Sequence, residues 1–335
     1  MKSIEIRQPN DFHHHLRDGD MLNITAKECF DRFNNVIVMP NLIPPITTIQ
    51  QAINYRSRIK NINIKGNPMM TLYLNKNIKE NDLRNFKNYD FMTAIKYYPK
   101  SATTNSEFGI SNISEIYHIL KIMEEEDIPL LIHGESIKEG VDIFHREKVF
   151  LKEELTGITE NFPKLRIVLE HITTKEAVDF VLKYNIHATI TPHHLLLDRN
   201  DIFKNGINPH LYCLPILKKK VDREALVNAA TSGKSNFFLG TDSAPHLKHN
   251  KLSCCGCAGI FNTTVAIEVI TEIFEKSNML DKLEQFVSLN GSDFYKLKYN
   301  DKIIKIVEEE WEVPEQYGEI VPLYCGKKLK WKYLY

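Results

Sequence analysis

The sequence predicts an α/β fold, specifically a (β/α)8 barrel of the TIM type. Eight short apolar runs alternate along the chain with segments of helical pattern, as expected for parallel strands that are buried on both faces. The chain has 335 residues, a length that single α/β barrels often reach. Neither an internal repeat nor a Pro/Gly/Ser-rich linker marks a boundary. We therefore expect a single domain built around one barrel.

Each predicted strand is an apolar run together with the polar residues that follow it. The eight runs are 4–15, 35–41, 69–75, 91–99, 129–135, 166–172, 187–194 and 237–246. Between them, residues 111–126 carry apolar side chains at helical spacing after a serine cap, and residues 221–232 form a second clear helical segment. This order of strand and helix predicts parallel pairing around a barrel.

Composition excludes several functional classes. Lys plus Arg equals Asp plus Glu at 43 each, so no basic excess indicates nucleic acid or an anionic membrane surface as a partner. The first residues lack the apolar core of a signal peptide, and no apolar run reaches membrane-spanning length. Six cysteines are too few for a disulfide scaffold. We expect a cytoplasmic protein with reduced thiols that acts on a small molecule.

Polar side chains lie at one end of the apolar runs. The carboxyl ends of parallel barrel strands converge on one rim, where active sites of such barrels lie. Residues far apart in the sequence should therefore meet there. The strand-end residues are His13 and His15, Asn41, Lys96, His133, His171 and Asp242.

Three consecutive histidines end the first run, and strand geometry separates them. Alternate side chains of a strand face opposite ways, so His13 and His15 should share one face while His14 faces away. Two imidazoles at this spacing can bind one metal ion, although a polar strand end without a ligand has the same pattern. The matching histidines and aspartate on other strands favour metal binding.

The other strand-end residues each have a structural alternative. His133 and His171 could be satisfied core histidines, but two at equivalent positions favour a second metal. Lys96 closes a buried run; it could be a snorkelling or salt-bridged lysine, or a neutral amine that reacts with CO₂ to form a metal-bridging carbamate. Asp242 could cap the next helix, or bind a metal and act as general base and acid.

Arg17 continues the alternation of His13 and His15, so its side chain should point toward the same opening at the carboxyl-terminal rim of the barrel. Its planar guanidinium suits bidentate binding of a carboxylate. The alternative is a salt bridge on the rim, with Asp18 or Asp20.

Three cysteines lie close together in LSCCGCAG, at positions 254, 255 and 257. Cys254 and Cys257 form a CxxC pair, but a zinc ribbon needs a second pair that the chain does not offer. For Cys254, Cys255 and Cys257 we expect a loop with small, packed thiols rather than metal or redox work.

Nine segments together resemble the dihydroorotases, in particular the compact bacterial type within the amidohydrolase superfamily. They are HHHLRDGDM, VIVMPNL, AIKYYP, LIHGE, LEHITT, TPHHL, LPILK, GTDSAPH and CGCAGIFN, and their order and spacing agree with that family from about residue 11 to 262. VSLNGSDFYKL and GKKLKWKY resemble the family's last segments. The resemblance implies one domain over residues 1–335, with a tail from about 290 to 335 packing on the barrel, and a homodimer.

The resemblance also implies a binuclear metal centre at the carboxyl-terminal rim. His13, His15 and Asp242 would hold one zinc ion, and His133 and His171 the other. Lys96, as N6-carboxylysine, and a hydroxide would bridge the two ions. The family usually has an apolar residue where His14 stands, and His193 matches no ligand position.

The substrate positions of the family also have counterparts in this sequence. Arg17 and Asn41 would bind the free carboxylate of the substrate, and Thr103 and Thr104 match a mobile lid. His15 and His133 would also contact substrate, and Leu214, His246 and Ala258 match positions that contact the ring and carboxylate, the first and last through backbone atoms. The implied reaction is the reversible cyclisation of N-carbamoyl-L-aspartate to L-dihydroorotate and water in pyrimidine biosynthesis.

Two other functions remain open from the sequence. Another binuclear cyclic amidase, such as a hydantoinase or allantoinase, would use the same metals. Arg17, Asn41 and the threonine loop argue against it, because they suit an anionic substrate. A non-catalytic scaffold with this fold is the second alternative, but such relatives typically lack some ligands, whereas all six positions are filled here.

Overall fold

The computed structural model describes residues 2–254 and 256–334, which contain two β-sheets. In this part of the chain, eight parallel strands follow one another in the order β2 to β9, and β1, β10 and β11 form an antiparallel sheet. The strands are β1 Ser3–Arg7, β2 Asp11–His14, β3 Asn35–Val38, β4 Asn67–Tyr73, β5 Met92–Tyr97, β6 Leu130–His133, β7 Ile167–Glu170, β8 His187–Ile190, β9 Phe237–Leu239, β10 Ile303–Glu312 and β11 Lys328–Leu334.

The parallel sheet closes on itself through the segment after β9. Asp242 N donates to His13 O at 2.9 Å, and His15 N donates to Ser243 O at 3.1 Å. These bonds join the last barrel strand to the first. Because the strands are parallel, the carboxyl ends of all eight lie at the same rim of the closed barrel. The predicted (β/α)8 barrel is confirmed.

Helices cover the outside of the barrel. They are α1 Asp20–Arg32, α2 Ile49–Lys60, α3 Glu80–Arg84, α4 Tyr117–Glu125, α5 Arg146–Phe150, α6 Thr156–Asn161, α7 Lys175–Tyr184, α8 Pro192–Leu196, α9 Lys220–Thr231, α10 Lys248–Lys251, α11 Ala266–Lys276 and α12 Asn290–Tyr295. Buried apolar residues of these helices and of the strands form one large core. No helix in the described chain has both the length and the apolar character that crossing a bilayer requires.

Two predicted boundaries differ from the structure. The first run, 4–15, supplies strands of two different sheets, because β1 pairs with β10 whereas β2 pairs with β3. Pro9 lies between them and has no backbone N–H to donate to a ladder. Helix 111–126 begins with a 3₁₀ turn, Ile113–Ile116, and its cap is Asn112, whose side chain accepts from Ser114 N, rather than a serine.

The last part of the chain contacts the base and one side of the barrel. A second apolar cluster joins Phe12 and Phe238 of the barrel to Phe294 and Tyr295 of α12, and Phe12 stacks on Tyr295 at 5.5 Å. Trp331 on β11 is fully buried. The assignment of a single domain with a tail from about residue 290 that packs on the barrel stays a prediction.

Candidate active site

A small cavity lies at the carboxyl-terminal rim of the barrel. The structure brings nearly all of the predicted site residues to it, although they come from all parts of the chain. Lys96 and His246 do not line the cavity but contact the residues that do. The lining residues are His13, His15, Arg17, Asn41, Tyr98, Thr103, Thr104, His133, His171, Leu214, Asp242, Ala244, Ala258 and Gly259.

His13, His15 and Asp242 form one compact group at the closure of the barrel. The Nε2 atoms of His13 and His15 are 3.3 Å apart, and Asp242 Oδ1 lies 3.3 Å from the first and 3.0 Å from the second. Burial lowers the pKa of His13 to about 3 and also lowers the pKa of His15. Burial opposes ionisation of Asp242, but its hydrogen bonds with the two histidines outweigh burial and hold its pKa well below the ordinary value. Two neutral imidazoles and a carboxylate are a donor set that suits a divalent transition metal.

His133 and His171 form a second group beside the first. Their ring centroids are 4.8 Å apart, and the His171 ring lies 5.0 Å from that of His13. His133 Nε2 pairs with Glu135 Oε2 at 2.9 Å. Among the described residues, His171 Nδ1 is buried without a hydrogen-bond partner, and burial lowers the pKa of this imidazole well below 6.5. These two side chains could hold a second ion.

Lys96 is fully buried on β5, next to both histidine groups. Within the described chain its Nζ has no hydrogen-bond partner, and it lies 5.2 Å from the centroid of the Tyr98 ring. Burial lowers the pKa of this amine well below 10.5. The side chain therefore neither snorkels nor forms a salt bridge to any described residue. An amine with a lowered pKa and no hydrogen-bond partner in the described chain, beside two donor groups, fits a lysine that carries a carbamate.

Arg17 also lines the cavity. Its Nε donates to Pro245 O at 3.0 Å, and its Nη2 lies 3.1 Å from His246 Nε2. Strand alternation does not explain this orientation, because β2 ends at His14 and Arg17 has a φ of 62°. The alternative, a rim salt bridge from Arg17 to Asp18, is absent from the described chain, because Asp18 pairs with Arg58 at 2.6 Å.

The loop with Thr103 and Thr104 lies over the cavity and contacts both of its sides. Asn41 Nδ2 donates to Thr104 O at 3.0 Å, and Thr104 Oγ1 donates to Ala258 O at 3.3 Å. Asn105 Nδ2 donates back to Asn41 O at 2.9 Å. Thr103 and Thr104 line the cavity, and their role as a mobile lid stays a prediction.

Two carboxylates that pair with site histidines, Glu135 and Glu170, are functional candidates that were not predicted from the sequence. Glu170 hydrogen-bonds His13 Nδ1, and Glu135 pairs with His133 as described above. Carboxylates in this position fix the tautomer and orientation of metal-binding imidazoles. Their signal in the sequence was proximity to a strand-end histidine, since Glu170 directly precedes His171 and Glu135 follows His133 by two residues.

His14 faces away from the cavity, as strand geometry predicts, and has a role of its own. Its Nδ1 lies 2.7 Å from Asp11 Oδ2. Asp11 Oδ1 accepts from Thr241 N at 2.8 Å and from His13 N at 3.2 Å. Asp11 therefore joins the first barrel strand to the residue before Asp242.

The cysteine loop contains no metal group in the part of the chain that the structure describes. Cys254 is exposed and Cys257 is partly exposed, so the expectation of packed thiols is wrong for Cys254. Cys255 lies outside the described residues. His193 is buried and hydrogen-bonds Asn262 at 2.9 Å, away from the two histidine groups of the cavity.

Comparison with known proteins assigns this arrangement to a family. Residues 10–303 match the model of the amidohydrolase family. A dihydroorotase of Acaryochloris marina is 49% identical, with 99% of each chain covered, and one of Aliivibrio salmonicida is 47% identical with the same coverage.

Solved structures agree with this assignment. The dihydroorotase of Saccharomyces cerevisiae, in complex with 5-fluoroorotic acid, superimposes with a TM-score of 0.93 at 33% identity, covering 100% of this chain and 99% of that one. The dihydroorotase of Campylobacter jejuni gives 0.91 at 36% identity, covering 99% and 98%. An L-hydantoinase of Arthrobacter aurescens shares the fold, with a TM-score of 0.82 at 14% identity and coverage of 98% and 82%. This chain therefore belongs to the amidohydrolase family and, within it, to the dihydroorotases.

Proposed function

We propose that this protein catalyses the reversible cyclisation of N-carbamoyl-L-aspartate to L-dihydroorotate and water. The observation that carries the proposal is the composition of the cavity. It contains the imidazoles of both histidine groups and the ionised Asp242, and the buried Lys96, whose Nζ has no hydrogen-bond partner in the described chain, lies beside them. The guanidinium of Arg17 lines the same cavity. The cavity thus combines candidate metal ligands with a group that binds anions.

The two histidine groups, with Asp242 and Lys96, would hold two divalent ions, and we propose zinc. His13, His15 and Asp242 would bind one, His133 and His171 the other, and a carboxylated Lys96 would bridge them. When bound, such ions lower the pKa of water from about 15.7 toward roughly 7 and polarise a carbonyl oxygen. The lowered pKa values of His13 and His171 suit this role, because only a neutral imidazole can donate its lone pair.

Asp242 would move the proton. Its carboxylate is ionised near neutral pH, because its contacts with the imidazoles of His13 and His15 hold its pKa well below the ordinary value. In the hydrolytic direction it would accept a proton from water and deliver it to the departing amide nitrogen of the ring. In the biosynthetic direction it would take the proton of the ureido nitrogen.

Arg17 would bind the free carboxylate of the substrate and fix its orientation. Hydrogen bonding to Pro245 O holds its guanidinium in place, so little side-chain freedom is lost when substrate binds. Asn41, His246 and the backbone of Leu214 and Ala258 would complete the pocket. Thr103 and Thr104 would exclude water while the loop is closed.

Comparing substrates tests the proposal. Purified, zinc-supplied enzyme should open the ring of L-dihydroorotate and close N-carbamoyl-L-aspartate, with kcat/KM far above that for hydantoin or allantoin. It should also bind 5-fluoroorotate, the ligand of the yeast relative. Faster turnover of hydantoin would assign the protein to another cyclic amidase, and no turnover after metal reconstitution would support a scaffold.

A cytoplasmic homodimer that binds no nucleic acid completes the proposal. The equal numbers of basic and acidic residues, 43 each, support the absence of a nucleic-acid partner. Light scattering of the purified protein would test the dimer.

A further inference from the structure

Lys251 is a buried lysine that the proposed mechanism does not use. It ends the short helix α10, and only 3% of the residue is exposed. Its ammonium donates three hydrogen bonds, all to backbone carbonyls. They reach Tyr212 O at 2.8 Å, Cys257 O at 2.8 Å and Gly259 O at 2.9 Å. The three donors of one ammonium group are thus all used.

The three carbonyls belong to two segments that wall the cavity. Tyr212 lies two residues before Leu214, and Cys257 and Gly259 flank Ala258; Leu214, Ala258 and Gly259 line the cavity. Gly259 N also donates to Tyr212 O at 3.0 Å. The ammonium therefore lies where the two segments meet.

A cation is needed at this point for an electrostatic reason. Three carbonyl oxygens that converge on one point repel one another unless a positive group lies between them. Lysine fits, because its head group is compact and its three donors can rotate to meet three acceptors. Burial lowers the pKa of Lys251 to about 8, so most molecules keep the charge near pH 7. Charge-assisted hydrogen bonds of this kind are stronger than neutral ones.

Ala258 connects the hydrogen bonds of Lys251 with the residues of the substrate pocket. Its carbonyl lies 2.9 Å from His246 Nε2 and accepts from Thr104 Oγ1 at 3.3 Å. His246 in turn contacts Arg17. A shift of residues 257–259 would move the contact points of both the lid and the arginine.

We propose that Lys251 is a positioning residue that sets substrate affinity by holding residues 212–214 and 257–259 together as one wall of the pocket. This inference rests on the proposed function, because it assumes that the cavity binds dihydroorotate. Lys251 makes none of its three hydrogen bonds with the histidine groups or Asp242, so it acts on binding rather than on the chemical step.

Lys251→Met tests the inference, since methionine keeps the apolar stem and removes the ammonium. We expect KM for dihydroorotate and Kd for 5-fluoroorotate to rise by at least roughly tenfold, with kcat within about threefold of the wild type. The matched control is Lys218→Met. Lys218 is also buried, donates to a single carbonyl, Ile216 O at 2.9 Å, and does not line the cavity. Its replacement should leave KM and Kd within about twofold.

The outcomes separate the inference from the proposed function. A wild-type enzyme that neither turns over dihydroorotate nor binds 5-fluoroorotate refutes the function itself. An active wild type with unchanged KM and Kd in Lys251→Met refutes the positioning role alone. A lower apparent kcat with unchanged KM would show that Lys251 only maintains the folded fraction. Lys251→Gln keeps two donors and should give an intermediate KM; if neither variant folds, Lys251 serves the whole fold and the inference is overturned.

Discussion

Replacing Lys96 by methionine should separate activity from stability. The side chain is fully buried, and its Nζ has no hydrogen-bond partner among the described residues. A buried polar atom without a partner costs about 1–3 kcal/mol. Methionine has a similar length and no such atom. In the protein without metal, the substitution should therefore remove a destabilising group while it removes the proposed carbamate.

The pH dependence of this effect follows from the direction of the pKa shift. Burial places the pKa of Lys96 in the folded protein well below its ordinary value, so the unfolded chain binds more protons. The destabilisation is then complete below the folded pKa, decreases as pH rises, and vanishes above the ordinary lysine pKa. Near pH 7 it is at most about 4–5 kcal/mol, from 1.36 kcal/mol per unit over a gap of about 3.4 units.

Urea denaturation of the metal-free proteins would measure the effect. We expect Lys96→Met to raise the free energy of unfolding by roughly 1–4 kcal/mol near pH 7, and by less near pH 10. After reconstitution with zinc, the same variant should turn over dihydroorotate more than about a thousandfold more slowly than the wild type. Lys218→Met is the control, because Lys218 has a partner and its loss should destabilise the protein by about 1 kcal/mol.

Two results would refute this reasoning. Destabilisation of Lys96→Met near pH 7, matching that of Lys218→Met, would mean that the ammonium is stabilised in the folded protein. Retention of turnover in Lys96→Met would exclude a bridging role for the carbamate.

Four further substitutions test single positions. His14→Leu should keep turnover within about threefold and change the free energy of unfolding by no more than about 1–3 kcal/mol. It removes the contacts of Nδ1 with Asp11, Thr241 and Cys29, together with a buried nitrogen, Nε2, that lacks a partner in the described chain. His13→Leu should abolish turnover, and equal activities of the two variants would contradict the separation of the two rings. Lys96→Ala should regain part of its activity with short carboxylic acids, and no rescue would count against the carbamate. Arg17→Lys should raise KM for dihydroorotate about ten- to hundredfold, since an ammonium cannot form the bidentate pair, and an unchanged KM would exclude the carboxylate contact.

The barrel and the members of the site could be predicted because one geometric rule connects them. Polar residues at the ends of apolar runs must converge when the strands are parallel and the sheet is closed. That rule brought together His13, His133, His171 and Asp242, and the structure places all four at one cavity. The resemblance added Thr103, Thr104, Leu214 and Ala258, which lie on loops where no periodicity applies.

Contacts set by loops and by irregular backbone could not be predicted. The register of β2 against β3 shifts between Asp11 and His14, and β2 ends at His14. Strand alternation therefore does not extend to Arg17, although it predicted correctly that this side chain points into the cavity. Lys251 sits in a loop-rich stretch with no pattern of its own. Its importance follows only from three carbonyls that the fold gathers around it.

Native mass spectrometry of the purified protein tests the central claim most directly, namely that these residues hold a binuclear centre bridged by a modified lysine. We expect two divalent ions and the mass of one CO₂ on each wild-type chain, and loss of the CO₂ with at least one ion in Lys96→Met. A fully active wild-type chain that carries one ion or no CO₂ would contradict it, as would a CO₂ adduct that persists in the variant.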